Sequence, residues 1–234
     1  MPQFALLLNE NGSVRQILRD GQPFDQPIRL EPAYAIVATY FRLAASNIGG
    51  MGKACDTELR RFHGIQAFLM TLTGVEAFTN VFFTLRGDEK NNPDLLARVA
   101  VKHGPLVPRL RDCIELAFED SLDDLDQLLA RIRDLYALRN QIVHPRWDPA
   151  SAWLGSEVPI LINGLAVNFQ AAFEDEGLCR EAFLWCMLLV VRIAKAAGNA
   201  DPAPFCQLWT GQLNVSEEAL LSQLGLTSRV VAGG

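Results

Sequence analysis

The chain has 234 residues, of which 50% are hydrophobic and 21% are charged, and its formal net charge is -6. This composition excludes an intrinsically disordered protein, because the apolar side chains suffice for the core of one sizeable domain. The acidic balance also excludes a broad nucleic-acid-coating surface, which needs clustered Lys and Arg, so any contact with RNA must be local.

The cysteines and apolar runs indicate a soluble, cytoplasmic protein. The five cysteines include no Cys-x-x-Cys pair, and the three histidines add no zinc-ligand spacing. We therefore expect buried, reduced thiols, no metal and no cofactor. The run Phe4 to Leu8 is too short for a secretory signal, and Ala182 to Val191 falls short of the roughly 20 residues of a membrane span, so no membrane association is expected.

The N-terminal segment predicts a small β-hairpin and a connector. Residues 4–18 form two short apolar segments around Asn11-Gly12, a dipeptide that tolerates positive φ in a tight turn. Residues 20–33 contain three prolines and form the connector. A helix is then expected over residues 32–48, with Gly49-Gly50 as its stop.

The next predicted element is a long helix from Asp56, which can cap its start, to about Arg86. At 1.5 Å per residue it would be roughly 45 Å long, enough for the spine of a helical bundle. Glu76 interrupts its apolar stripe at a buried-seam position, and Asn80 follows one turn later. His63, near the helix start, is expected to lie at the surface or partly packed.

Two shorter helices are predicted next, one from Pro93 through Val101 and one over residues 107–119. Four basic residues in this region form either a solvated face or a basic rim that contacts nucleic acid. They are Arg98, Lys102, Arg109 and Arg111.

A central amphipathic helix is predicted from Ser121, whose spacing to Asp124 suits a capping box, to the proline that follows His144. Its apolar stripe places Arg139 where an apolar residue is expected, and a guanidinium on a buried seam needs a partner. Asn140 and His144, four residues apart, share an adjoining face. The pattern gathers Arg, Asn and His at the last turn of one helix.

The rest of the chain predicts a second hairpin over about residues 157–170, followed by a helix over 174–197 that is apolar nearly all round. A proline-rich break at 202–204 and a short helix near 216–224 complete the prediction. The helix over 174–197 is expected to be central or to lie at an interface. The predicted fold is an all-α antiparallel helical bundle with one or two small β-hairpins attached. Its regions are 1–31, the hairpin and connector; 32–200, the helical domain; and 201–234, a C-terminal extension.

The run Arg139-Asn140-Gln141-Ile142-Val143-His144 resembles the signature of the HEPN superfamily, in which Arg is followed by four to six residues and then His. The resemblance covers about residues 60–196, and HEPN-like proteins often carry a polar or acidic residue at the place of Glu76. It implies an all-helical domain that dimerises and brings two motifs into one cleft. Many HEPN proteins are metal-independent endoribonucleases of toxin–antitoxin or antiviral systems, whereas others bind nucleotides or act as scaffolds.

The resemblance also implies the site residues and the partners. Arg146 stands where a subset of HEPN toxins has a tyrosine that a nucleotidyltransferase modifies, so neutralisation by that route is not expected. The partners would be a second copy of the chain, RNA or a nucleotide, and an antitoxin-type protein. The site residues would be catalytic Arg139, Asn140 and His144, supporting Glu76 and Asn80, and substrate-binding Arg146.

Metal-free RNA cleavage needs a base for the 2′-hydroxyl, an acid for the leaving oxygen and a cation for the phosphorane. One chain supplies one His144 and one Arg139, so a two-fold dimer that pairs the motifs is expected. We also expect the Glu76 carboxylate to contact the Arg139 guanidinium. If this pair were the whole role of Arg139, the arginine would be structural and His144 would simply be a histidine at a helix end. Three functions stay open: a ribonuclease, a nucleotide- or partner-binding module, and a structural dimer.

Overall fold

The computed structural model divides the chain into two compact units, Met1–Pro32 and Ala33–Gly234. The first contains a small β-sheet, and the second contains the helices. The residues that the structure describes are 4–9, 14–24, 32–101, 104–118, 122, 124–143, 159–162, 165–168 and 173–226.

The first unit holds an antiparallel sheet with the strand order β1-β2-β3. Strands β1 (Phe4–Leu8) and β2 (Val14–Arg19) form the predicted hairpin, whose turn at Asn11-Gly12 lies outside the described residues. The sequence analysis missed β3 (Gln22–Pro23) by placing it in the connector. The signal for β3 is Asp20-Gly21, because both residues have positive φ and form a two-residue hairpin turn.

The second unit contains eight helices and a two-stranded hairpin within the described ranges, which confirms the predicted all-α class with small hairpins attached. In chain order its elements are α1 (Tyr34–Met51), α2 (Thr57–Glu89), α3 (Pro93–Val99), α4 (Leu106–Ala117), α5 (Leu125–Val143), β4 (Pro159–Ile162), β5 (Leu165–Asn168), α6 (Glu176–Ala196), α7 (Ala203–Thr210) and α8 (Glu217–Gln223).

Helix α2 is the centre of the second unit, where α1, α3, α4, α5 and α6 all contact it. Its predicted cap is confirmed, since the Asp56 carboxylate accepts a hydrogen bond from the Leu59 backbone N–H at 2.7 Å. Among the described helices, α2 alone is long and apolar enough to span a membrane by length and composition. Half of its most apolar window is buried inside the fold.

Helix α1 does not stop at Gly49-Gly50, as predicted, but continues to Met51. Met51 is fully buried, and Gly50 lies so close to the His63 ring that a Cβ there would approach it to 2.9 Å. This packing outweighs the low helix propensity of glycine, about 1 kcal/mol per residue relative to alanine. The predicted stop at Gly49-Gly50 was therefore wrong.

Helix α5 begins later than the sequence predicts. Asp124 has a φ of 52°, a left-handed conformation outside the helical range, so the first helical residue is Leu125. The other half of the predicted capping box, Ser121, lies outside the described residues.

Helix α7 begins inside the predicted proline-rich break at residues 202–204 and continues to Thr210, through a segment for which the sequence analysis predicted no element. Pro202 precedes the helix and Pro204 lies in its first turn, where no backbone N–H is needed for the helical ladder. Trp209 stacks on Phe205 at 5.8 Å and meets Phe78 edge-on at 5.3 Å between ring centroids. Burial of these aromatic rings against α2 accounts for the missed helix.

Helix α6 lies in the core of this single chain, since 12 of its 21 residues are buried. The prediction of a central position is therefore confirmed, and α6 does not need a partner chain to cover it. The prediction of buried thiols is confirmed for Cys113, Cys179, Cys186 and Cys206 but wrong for Cys55, which is exposed; all five are free.

Helix α8 is held to α6 by a buried ion cluster. Glu217, only 7% exposed, accepts a bond from Arg192 Nε at 2.6 Å and also pairs with the Lys195 ammonium. Two cations offset the cost of removing one carboxylate from water. The cluster ties the C-terminal helix to the helical core.

Candidate functional site

Arg139 and Asn140 lie in the last two turns of α5, which ends at Val143. The Arg139 side chain is half-buried, and its Nη1 donates a hydrogen bond to Asn140 Oδ1 at 3.2 Å. No carboxylate among the described residues pairs with this guanidinium. Because a guanidinium carries five N–H donors, most of those of Arg139 remain available to an anion.

Tyr136, one turn before Arg139, fixes this end of α5 to α2. Its hydroxyl donates a hydrogen bond to the Leu72 backbone carbonyl at 2.6 Å. Burial raises the pKa of Tyr136 well above its usual range; Cys186 and Glu76 add to the rise, whereas the Arg139 and Arg109 guanidinium groups oppose it. The phenol therefore stays protonated and keeps donating throughout the physiological pH range.

Glu76 does not make the ion pair with Arg139 that the sequence predicts. Within the described part of the chain, no side-chain nitrogen of Arg139 lies within 4.0 Å of a Glu76 carboxylate oxygen. Both residues nevertheless affect the pKa of Tyr136, in opposite directions. The prediction assumed that both charges are buried, but both side chains are only half-buried. Water can solvate each charge, so neither residue needs the other as a partner.

Asn80, one turn beyond Glu76 on α2, presents a buried amide oxygen. Its Oδ1 has no hydrogen-bond partner within the part of the chain that the structure describes. A buried acceptor without a donor costs about 1–3 kcal/mol. Asn80 is thus available to accept a bond from a donor that approaches the middle of α2.

His144 and Arg146 lie outside the described residues. Of the six predicted site residues, the structure therefore describes four, on two helices that contact each other. They are Arg139 and Asn140 on α5 and Glu76 and Asn80 on α2.

The predicted basic rim is largely neutralised by neighbouring acids. Arg98 pairs with Asp112, and Arg111 pairs with Asp126 at 2.5 Å. Arg109 differs, because its Nη1 donates to the Val101 carbonyl oxygen at 2.7 Å and no described acid pairs with it. Lys102 lies outside the described residues.

The second polar centre of the unit is His63, whose partly packed position is confirmed. Asn47 Nδ2 donates to the Leu43 carbonyl oxygen at 2.9 Å, which turns Asn47 Oδ1 towards His63 Nδ1 at 2.8 Å. An amide oxygen can only accept, so His63 Nδ1 carries a proton and donates in this hydrogen bond. His63 joins α1 to α2, about 13 helical residues from Glu76.

Among the described residues of the α2–α5 region, the Arg139 guanidinium is the group that can donate hydrogen bonds to an anion. Across the described ranges, no three His, Cys, Asp or Glu side chains are grouped so that they could hold a metal ion. Arg139, held by Asn140, offers the bidentate donors that fit a phosphate. No protein-family model matches the chain, and neither does any curated protein or solved structure.

Proposed function

We propose that the chain is a HEPN-type, metal-independent endoribonuclease whose active centre is the motif Arg139-Asn140 to His144. The observation that carries the proposal is the position of the Arg139 guanidinium, which lies near the end of α5, is braced by Asn140 and pairs with no described carboxylate. The hydrogen bond to Asn140 uses one of the five N–H donors of the guanidinium, so the others can bind phosphate oxygens. The cytoplasm is the proposed compartment.

In the proposed reaction, a histidine removes the proton of a ribose 2′-hydroxyl, which then attacks the adjacent phosphorus. Arg139 stabilises the negative charge that develops on the phosphorane oxygens. The bond to the 5′-oxygen breaks, and a protonated histidine supplies the proton to that leaving group. The products are a 2′,3′-cyclic phosphate and a 5′-hydroxyl. Arg146 would contact the RNA backbone beside the motif.

We propose a two-fold dimer because this reaction uses one histidine as base and another as acid, whereas each chain supplies one His144. Exposed apolar side chains on α1 and α2 are available to contact a second copy of the chain. Ile36 is 50% exposed and Phe62 is 56% exposed. Sedimentation at micromolar concentration should give the dimer mass, and a monomer under those conditions would contradict the dimer.

A toxin–antitoxin or defence role is the biological setting that the HEPN resemblance suggests. The antitoxin-type partner would not act by modifying a tyrosine after the motif, because Arg146 stands at that position. An antitoxin that binds over the motif remains compatible with the proposal.

The second candidate is a HEPN-like module that holds a nucleotide or a partner without cleaving RNA. The Arg139 and Asn140 side chains support this candidate, because they offer N–H donors to an anion such as a nucleotide phosphate. A nucleotide that binds only the folded protein should raise the melting temperature. Stabilisation by a nucleotide without RNA cleavage would favour this candidate.

The ends of the RNA products test the proposed reaction. Attack by the 2′-hydroxyl predicts 2′,3′-cyclic phosphate and 5′-hydroxyl ends, formed equally fast with and without EDTA. Cleavage that needs Mg²⁺ and leaves 3′-hydroxyl ends would exclude it. Because the chain is acidic, short single-stranded or looped RNA should be cleaved best.

A further inference from the structure

Strand β1 forms one edge of the three-stranded sheet in the first unit. Within the part of the chain that the structure describes, β1 pairs with β2 on one side and with no strand on the other. A strand at the edge of a sheet presents a row of backbone N–H and C=O groups that can pair with another strand. The free edge of β1 can therefore accept one more strand.

The two edges of this sheet differ in how well they are protected against such pairing. At the opposite edge, β3 has only two residues, Gln22 and Pro23, and a proline has no N–H to offer to a further strand. Strand β1 has five residues, Phe-Ala-Leu-Leu-Leu, with no proline and no charge. Short length, prolines and charges are the usual means of blocking an edge, and β1 has none of them.

The side chains of β1 are exposed on both faces of the sheet. Leu6 and Leu7 point to opposite faces, because side chains alternate along a strand, and they are 42% and 43% exposed. The register shift beside Leu8 leaves Arg15 as the extra residue on β2, so β1 itself runs without a bulge. A regular strand with an exposed leucine on each face is suited to pairing with another apolar strand.

We propose that β1 pairs with β1 of a second copy of the chain, antiparallel and across a two-fold axis. The two five-residue strands overlap fully, so that Leu6 lies opposite its own copy. The remaining opposed pairs are Ala5 with Leu7 and Phe4 with Leu8. Every cross-strand pair is then apolar, and no charge faces a like charge.

This pairing closes as a dimer, because β3 blocks the other edge of each sheet and no further copy can add there. The two sheets join into one antiparallel sheet of six strands, with the order β3-β2-β1-β1-β2-β3. The contact uses no residue of the motif in the second unit. The inference therefore does not depend on whether the chain cleaves RNA.

Disulfide trapping in the full chain tests the pairing. Cys55 is the exposed cysteine among the five, and Cys55→Ser removes its thiol from the background. In that background, Leu6→Cys places a thiol on the two-fold axis, where opposed Cα atoms lie about 4.5–5.5 Å apart, within the range that a disulfide bridges. Oxidised glutathione should therefore convert Leu6→Cys into a covalent dimer, which denaturing electrophoresis without reductant detects.

Leu7→Cys in the same background is the matched control, because Leu7 is adjacent to Leu6 and equally exposed. Its copy lies diagonally across the strand pair, about 7–8 Å away, which is too far for an unstrained disulfide. Leu7→Cys should therefore be crosslinked at least about tenfold more slowly than Leu6→Cys. Equal crosslinking at the two positions, or no covalent dimer at either, would overturn the proposal.

Discussion

The Tyr136 hydroxyl donates a hydrogen bond to the Leu72 carbonyl oxygen at 2.6 Å, and this contact fixes α5 against α2 one turn before Arg139. Leu72 and Glu76 are one turn apart on α2, as Tyr136 and Arg139 nearly are on α5. Phe118, which precedes α5, packs against Phe82 and Phe83 of α2, so α5 runs back along α2 from there to the Tyr136–Leu72 contact. Glu76 and Arg139 therefore lie on opposite sides of this contact along the helix axes, which agrees with the lack of an ion pair between them.

Tyr136→Phe should lower the free energy of unfolding by about 1 kcal/mol, because a buried hydrogen bond is lost while the ring still fills its space. Chemical denaturation measures this change. Tyr34→Phe is the matched control, since the half-buried Tyr34 has no hydroxyl hydrogen bond to a described residue. Equal costs for the two variants would mean that the bond to Leu72 contributes nothing.

Glu76→Gln should change the free energy of unfolding by less than about 1 kcal/mol. A buried pair with Arg139 would have made Glu76 costly to replace, at about 3 kcal/mol. The half-exposed Glu76 has no such partner, so its loss strands no cation. A measured cost near 3 kcal/mol would instead indicate that Glu76 and Arg139 form an ion pair.

Glu217→Gln should cost more than Glu76→Gln, about 2 kcal/mol, although the chemical change is the same. Glu217 is nearly buried and neutralises Arg192, whose side chain is only 13% exposed. The adjacent, exposed Glu218 provides the control, and Glu218→Gln should be nearly neutral. Equal stability of all three variants would contradict the buried ion cluster.

Gly64→Ala should destabilise the chain by more than about 3 kcal/mol, because a Cβ at this position would lie 1.9 Å from the Phe173 backbone oxygen. Gly49→Ala is the control in α1, where a Cβ meets nothing within 4 Å. There the gain in helix propensity should stabilise the chain by about 0.5–1 kcal/mol. Similar effects at both positions would contradict the packing of Phe173 on α2.

Local chemistry predicted the fold where a side chain acts on its own backbone. Asp56 caps α2 as predicted, and α3 begins at the predicted Pro93, with Asn92 as its cap. Packing between distant segments decided the rest. Helix α1 continues through Gly50 because only a residue without a side chain leaves room there for the His63 ring. The segment after Pro202 is helical because Trp209 packs against α2.

The candidate site was predictable in part for the same reason. The position of Arg139 near the end of α5 follows from the apolar periodicity together with the proline after His144. The exposure of Glu76 does not, because it depends on which neighbours cover that face of α2. Arg109 appeared in the sequence only as one of four basic residues, and its distinction from Arg98 and Arg111 depends on their ion pairs with aspartates.

Cleavage of RNA by His144→Ala in the presence of EDTA tests the central claim most directly. Loss of a general acid–base group should reduce the rate by a factor of about 100 to 10,000, while the free energy of unfolding stays at the wild-type value. His103→Ala, which removes a histidine outside the motif, should cleave at the wild-type rate. The result that would contradict the account is wild-type cleavage by a folded His144→Ala protein.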